Sequence, residues 1–132
     1  MPGKVSPWPD EDSTTTANGD LALALARWRT GAAEVVSEAD RKLLCRRVGR
    51  RLVRTGFTLV MPAWNGWTSD LGESAEIFGE YYPERLSQMR TAAVTGRTQR
   101  AEPEVLNMLI EDLGPWLAAE YAAVHGNKAT RR

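Results

Sequence analysis

The chain holds one cysteine, Cys45, and one histidine, His125, in 132 residues. A lone cysteine excludes an internal disulfide framework. One Cys and one His also leave no C-x-x-C or H-x-x-x-H spacing, so a metal site would have to be assembled from carboxylates. There is no Gly-rich phosphate loop and no Gly-x-Ser-x-Gly turn. No stretch approaches the ~20 apolar residues of a membrane span. The opening residues, Met1 to Pro9, contain no apolar run, so no secretory signal is read and a cytoplasmic location is expected. Together these absences predict a non-enzymatic protein with no cofactor, no metal and no membrane contact.

A further absence is local. From Arg41 to Arg54 there is no acidic residue, while Arg41, Lys42, Arg46, Arg47, Arg50, Arg51 and Arg54 all carry positive charge. The whole chain has a formal net charge of zero. The local excess therefore calls for a counter-charge, either outside the chain or on its own acidic segments. Fourteen arginines stand against three lysines. With abundant alanine, this reads as a high-GC bacterial coding bias, which weakens any conclusion drawn from arginine content alone.

What is present is ordinary for one globular domain. Hydrophobic content is 42% and charged content 26%, and a chain of this length buries roughly two-thirds of its unfolded surface. Residues 1–19 combine five Ser and Thr, three prolines and the acids Asp10, Glu11 and Asp12. They are read as a flexible arm in which only Trp8 has the character to dock. Residues 127–132 are read as a flexible basic tail. Between them, residues 20–126 are expected to form a single all-α domain of four to six helices.

Leu21, Leu25 and Trp28 follow Asp20 at helical spacing, with Gly31 as the expected stop. Ser37 and Asp40 resemble a capping box ahead of Leu44, Val48 and Leu52, which form a narrow apolar stripe with Cys45 beside them. Arg46, Arg47, Arg50 and Arg54 fall on the opposite side. Residues 55–68 admit two readings. Phe57–Met61 with Asn65-Gly66 can form a hairpin; the favoured alternative is a helix end before Pro62 and then a Trp-rich loop. A short acidic helix follows, with Ile77, Phe78 and Tyr81 as its apolar side. Pro83 then opens a helix buried through Leu86, Met89, Ala93 and Val94, with Gly96 as its stop. The last helix starts at Pro103 on the stripe Val105, Leu106, Leu109, Ile110 and Leu113. Gly114-Pro115 is expected to break or kink it before Trp116, Leu117, Tyr121 and Val124.

Four constellations are candidates for chemistry. The arginine face, extended by the basic loop Gly96 to Arg100 with Arg97 and Arg100, suits phosphates or carboxylates. Its plain alternatives are solvation, or internal pairing with Asp70, Glu73, Glu76, Glu80 and Glu84 or with the acids from Glu102 to Glu120. Trp64 and Trp67, with Tyr81 and Tyr82, suit an aromatic recognition surface, although core packing is the commoner use of such residues. Glu120 falls in an apolar helical phase, and Cys45 with His125 makes a formal nucleophile pair. Both have a simpler structural reading. The expected function is an accessory protein binding a protein partner. The alternative is a nucleic-acid-associated regulator using the arginine-rich helix, against which the neutral overall charge weighs.

Overall fold

The computed structural model describes residues 17–98 and 102–125, with side chains from Leu21 onward. The chain is all-α, and five helices make up the domain. They are α1 (Ala17–Glu34), α2 (Glu38–Trp64), α3 (Leu71–Tyr81), α4 (Leu86–Arg97) and α5. The last begins as Pro103–Met108, passes through a π segment at Leu109–Leu113 and continues as Gly114–His125. The expected arm at 1–19 gives way to helix at Ala17; the remainder of that arm, the tail at 127–132 and Arg100 lie outside the described residues.

The organising element is α2. Its 27 residues make a rod about 40 Å long, and every other helix packs on it. Ser37 caps its start: the Ser37 Oγ accepts the Asp40 backbone N–H at 3.0 Å. Glu38 and Asp40 place negative charge at the positive end of the helix dipole. The buried side is far wider than a narrow stripe. Leu44, Cys45, Val48, Gly49, Leu52, Val53, Thr55, Gly56, Leu59 and Val60 are all buried. At about 100° per residue they cover half the helix circumference, as a rod packed on several helices requires.

The two readings of residues 55–68 resolve to helix, which continues three residues beyond the expected stop at Met61. Pro62 lies in the last turn of α2, and Trp64 is helical. Asn65 ends the helix in the left-handed conformation, φ 64°, and its N–H bonds Met61 O at 2.7 Å. Asn-Gly is thus a helix C-cap, for which Asn suits the positive φ. No strand forms among the described residues.

Three expected helix stops are corrected. α1 runs past Gly31 to Glu34. α4 runs past Gly96 to Arg97. Gly96 instead serves close approach: a Cβ there would lie 2.8 Å from the Arg50 Cγ and 3.1 Å from the Arg50 backbone nitrogen. Gly114-Pro115 does not break α5. Pro115 has no N–H to donate and its ring would crowd the carbonyl four residues earlier. The chain widens there to i→i+5 bonding, with the Gly114 N–H reaching Leu109 O. Leu113 and Leu117 stay fully buried on either side.

Candidate functional site

The outer side of α2 is where charge is concentrated. Arg46, Arg50, Arg54 and Arg47 span an arc of about 100°, with Leu43 near its middle. Arg46, Arg47 and Arg54 are exposed, and Arg50 is half-buried because its stem lies over Gly96. Leu43 is 60% exposed, a large apolar side chain among cations. Along the axis the patch from Leu43 to Arg54 measures about 16 Å.

The nearby acids do not cover it. Glu76 is held by Arg90 of α4, whose Nε and Nη2 donate at 2.6 and 2.8 Å. Arg90 lowers the Glu76 pKa chiefly through these hydrogen bonds. Asp70 caps α3 by accepting the Glu73 N–H at 2.7 Å, and Glu73 accepts the Thr68 hydroxyl at 2.6 Å. Asp112 takes Arg85 and Gln88 at 3.0 and 2.7 Å, and Glu111 takes Arg29 at 3.0 Å. Among the described residues, Arg46, Arg47, Arg50 and Arg54 enter no ion pair. Glu76, Glu111 and Asp112 are turned toward other helices, and Asp70 and Glu73 serve the cap of α3.

Arg97 is exposed, one residue beyond the Gly96 that abuts Arg50, and leans toward α3. Its guanidinium lies over Gly72 in the first turn of α3: a Cβ on Gly72 would meet Arg97 Nη1 at 2.9 Å and Asp70 Oδ2 at 3.3 Å. Asp70 Oδ2 stands on the same side of Gly72, and both charged side chains are exposed.

The two candidate tryptophans separate. Trp64 turns inward, its ring edge-on to Phe57 at 5.8 Å between centroids and packed over Gly66. It closes the end of α2 and offers little recognition surface. Trp67 is 73% exposed. Tyr81, expected on the apolar side of α3, is 40% exposed, and its neighbour Tyr82 takes the packing role. Tyr82 stacks on Phe78 at 5.1 Å and meets Trp116 edge-on at 5.2 Å. Arg85 lies over Trp116 at 4.8 Å.

The remaining polar groups have structural partners. Glu120 accepts the Tyr82 hydroxyl at 2.8 Å. Burial, and then this hydrogen bond, push the Tyr82 pKa up to about 12. His125 Nε2 lies 3.0 Å from Leu59 O, with its ring against Tyr121. Cys45 is fully buried in the core, and burial pushes its thiol up despite the opposing charge of Arg41. His125 and Cys45 have separate surroundings, and no bond between them is seen. Sequence spacing identified the arginines but missed Leu43, whose exposure follows from its lying on the outer arc. The helical phase alone was sufficient to find it.

No helix among the described residues is long and apolar enough to cross a membrane. Comparison with protein-family models, curated proteins and solved structures returned no match to this chain.

Proposed function

We propose that this chain is a small non-enzymatic accessory protein of the cytoplasm that docks an acidic protein segment on the outer face of α2. The observation that carries the proposal is the four-arginine arc with Leu43 at its centre, whose arginines enter no ion pair among the described residues. Arginine presents a planar fork that matches carboxylates with two parallel hydrogen bonds. An exposed leucine within that arc adds an apolar contact whose burial stabilises binding only if the partner brings apolar surface of its own.

Leu43 also separates the two candidate partners. A phosphate backbone offers charge but no apolar counterpart to a leucine, whereas a peptide with acids beside an apolar side chain offers both. The neutral overall charge of the chain further reduces the basic footprint a nucleic-acid binder needs. The test is an anisotropy titration with two labelled probes, an acidic peptide containing leucine and a DNA duplex, against wild-type and Leu43→Ala chains. Saturable peptide binding that weakens severalfold in Leu43→Ala supports the proposal. DNA binding of steep salt dependence, indifferent to Leu43→Ala, identifies the nucleic-acid alternative instead.

A further inference from the structure

We infer that the α2 face has an occupant within its own chain: residues Trp8 to Asp12, which lie outside the described residues, dock on it and compete with external acidic partners. The inference rests on the docking proposal above and adds its regulation.

The match is one of composition and order. The segment reads Trp8, Pro9, Asp10, Glu11, Asp12, an aromatic residue followed by three acids. The surface of α2 reads in the same order. Near its start an open groove of about 440 Å³ is lined by Glu38, Ala39, Lys42, Leu43 and Arg46, with Ala39 and Leu43 as its apolar contacts. The arginines follow toward Arg54. Pro7 and Pro9 bias Ser6 and Trp8 to extended backbone. In an extended chain Trp8 and Asp12 are about 13 Å apart, close to the ~16 Å from Leu43 to Arg54 along α2.

Chain connectivity permits this direction. Only Val35, Val36 and Ser37 join α1 to α2, and so short a link returns one helix alongside the other. The Gly31 end of α1 meets α2 at Leu44, where a Cβ would lie 3.7 Å from Leu44 Cδ2. Leu25 meets Gly114 of α5, whose His125 end lies at Leu59 of α2, so the Ala17 end of α1 lies toward the later turns of α2. An arm running from Leu43 toward Arg54 finishes on the side where α1 begins. Five residue steps from Asp12 to Ala17 span up to about 17 Å, enough to pass between helices whose axes lie about 8–10 Å apart. A segment tethered this closely acts at millimolar effective concentration, so modest contacts suffice to hold it.

The experiment has two arms. In the first, a nitroxide is attached to full-length Ser6→Cys, the buried Cys45 remaining unreactive, and amide signals of Leu43 to Arg54 are followed by NMR. The expected result is broadening of these signals within one chain, lost when Asp10→Asn, Glu11→Gln and Asp12→Asn are introduced together. No broadening overturns the inference. Broadening seen only when a labelled chain is mixed with an unlabelled, isotope-enriched one also overturns it, because the occupant is then a second copy. In the second, labelled polyglutamate is titrated against the wild-type and neutralised-arm chains. An arm covering the face four-fifths of the time weakens polyglutamate binding about fivefold, so neutralising it restores that factor. Equal binding to both chains overturns the arm alone. Binding to neither chain overturns the docking face itself.

Discussion

Gly49 and Gly96 bring α2 and α4 into backbone contact. A Cβ on Gly49 would lie 2.9 Å from the Gly96 nitrogen and 2.5 Å from the Ala92 carbonyl oxygen. Both obstacles are backbone, so no side-chain rotation relieves them. This approach also explains why Arg50 is only half exposed: its stem rests where a larger residue at position 96 would stand.

Gly49→Ala should therefore destabilise the fold by about 1–3 kcal/mol, the usual cost of overpacking. This holds although alanine is the better helix former by about 1 kcal/mol. Urea denaturation measures it. A neutral or stabilising result would mean the two helices stand further apart than described.

The shared core of α2 and α5 gives a second expectation. Leu52 and Leu109 are each fully buried. Leu52→Ala and Leu109→Ala should each cost about 2–5 kcal/mol, and Val48→Ala less, since it removes less volume. A change under about 0.5 kcal/mol at either leucine would place the core on the wrong face.

The end of α2 depends on one backbone conformation. Asn65 sits at φ 64°, where a residue with a Cβ pays about 1–2 kcal/mol. Asn65→Ala should lower stability by about 1 kcal/mol, while Asn65→Gly should not. No preference for Gly over Ala in thermal melts would mean that Asn65 does not hold this left-handed conformation in solution.

These cases show what the chain's letters disclose and what they conceal. Ser37 with Leu44, Val48 and Leu52 was legible because cap and periodicity are local signals. The arginine arc was legible for the same reason. Gly31, Gly96 and the Asn65-Gly66 pair were harder, since a glycine that ends a helix and one that admits a neighbouring helix look alike without the neighbour. Gly114-Pro115 reads as a break, yet one extra residue in the turn absorbs the proline. Tyr81 and Tyr82 are adjacent, and which of them packs depends on where α3 ends. Whether acids cover the arginines was beyond sequence, because Glu76, Glu111 and Asp112 choose partners on other helices.

Tyr82 supplies a pH signature. Its pKa rises to about 12, through burial first and then the bond to Glu120. In the unfolded chain a tyrosine ionises near ~10. A raised folded pKa favours the protonated, folded form, so its contribution is full below about 10 and is lost as pH rises toward about 12. Tyr82→Phe keeps the ring stack but removes the hydroxyl. The variant should be less stable by about 0.5–1.5 kcal/mol at pH ~8. The gap should narrow between pH ~10 and ~12 in thermal melts. A gap that stays constant over that range would remove Tyr82 as its source.

Arg47 and Arg50 lie at the heart of the proposed acid-binding face. The decisive measurement is anisotropy of a labelled acidic peptide at ~50 mM and ~200 mM salt, on wild type and on the paired change Arg47→Gln with Arg50→Gln, alongside thermal melts of both. Neither arginine enters an ion pair among the described residues, so the melts should coincide within the effect of a surface change, about 0.5 kcal/mol. Peptide binding should weaken severalfold and lose part of its salt dependence. Equal binding by both chains, or a melt that falls steeply, would contradict an acid-binding face on α2.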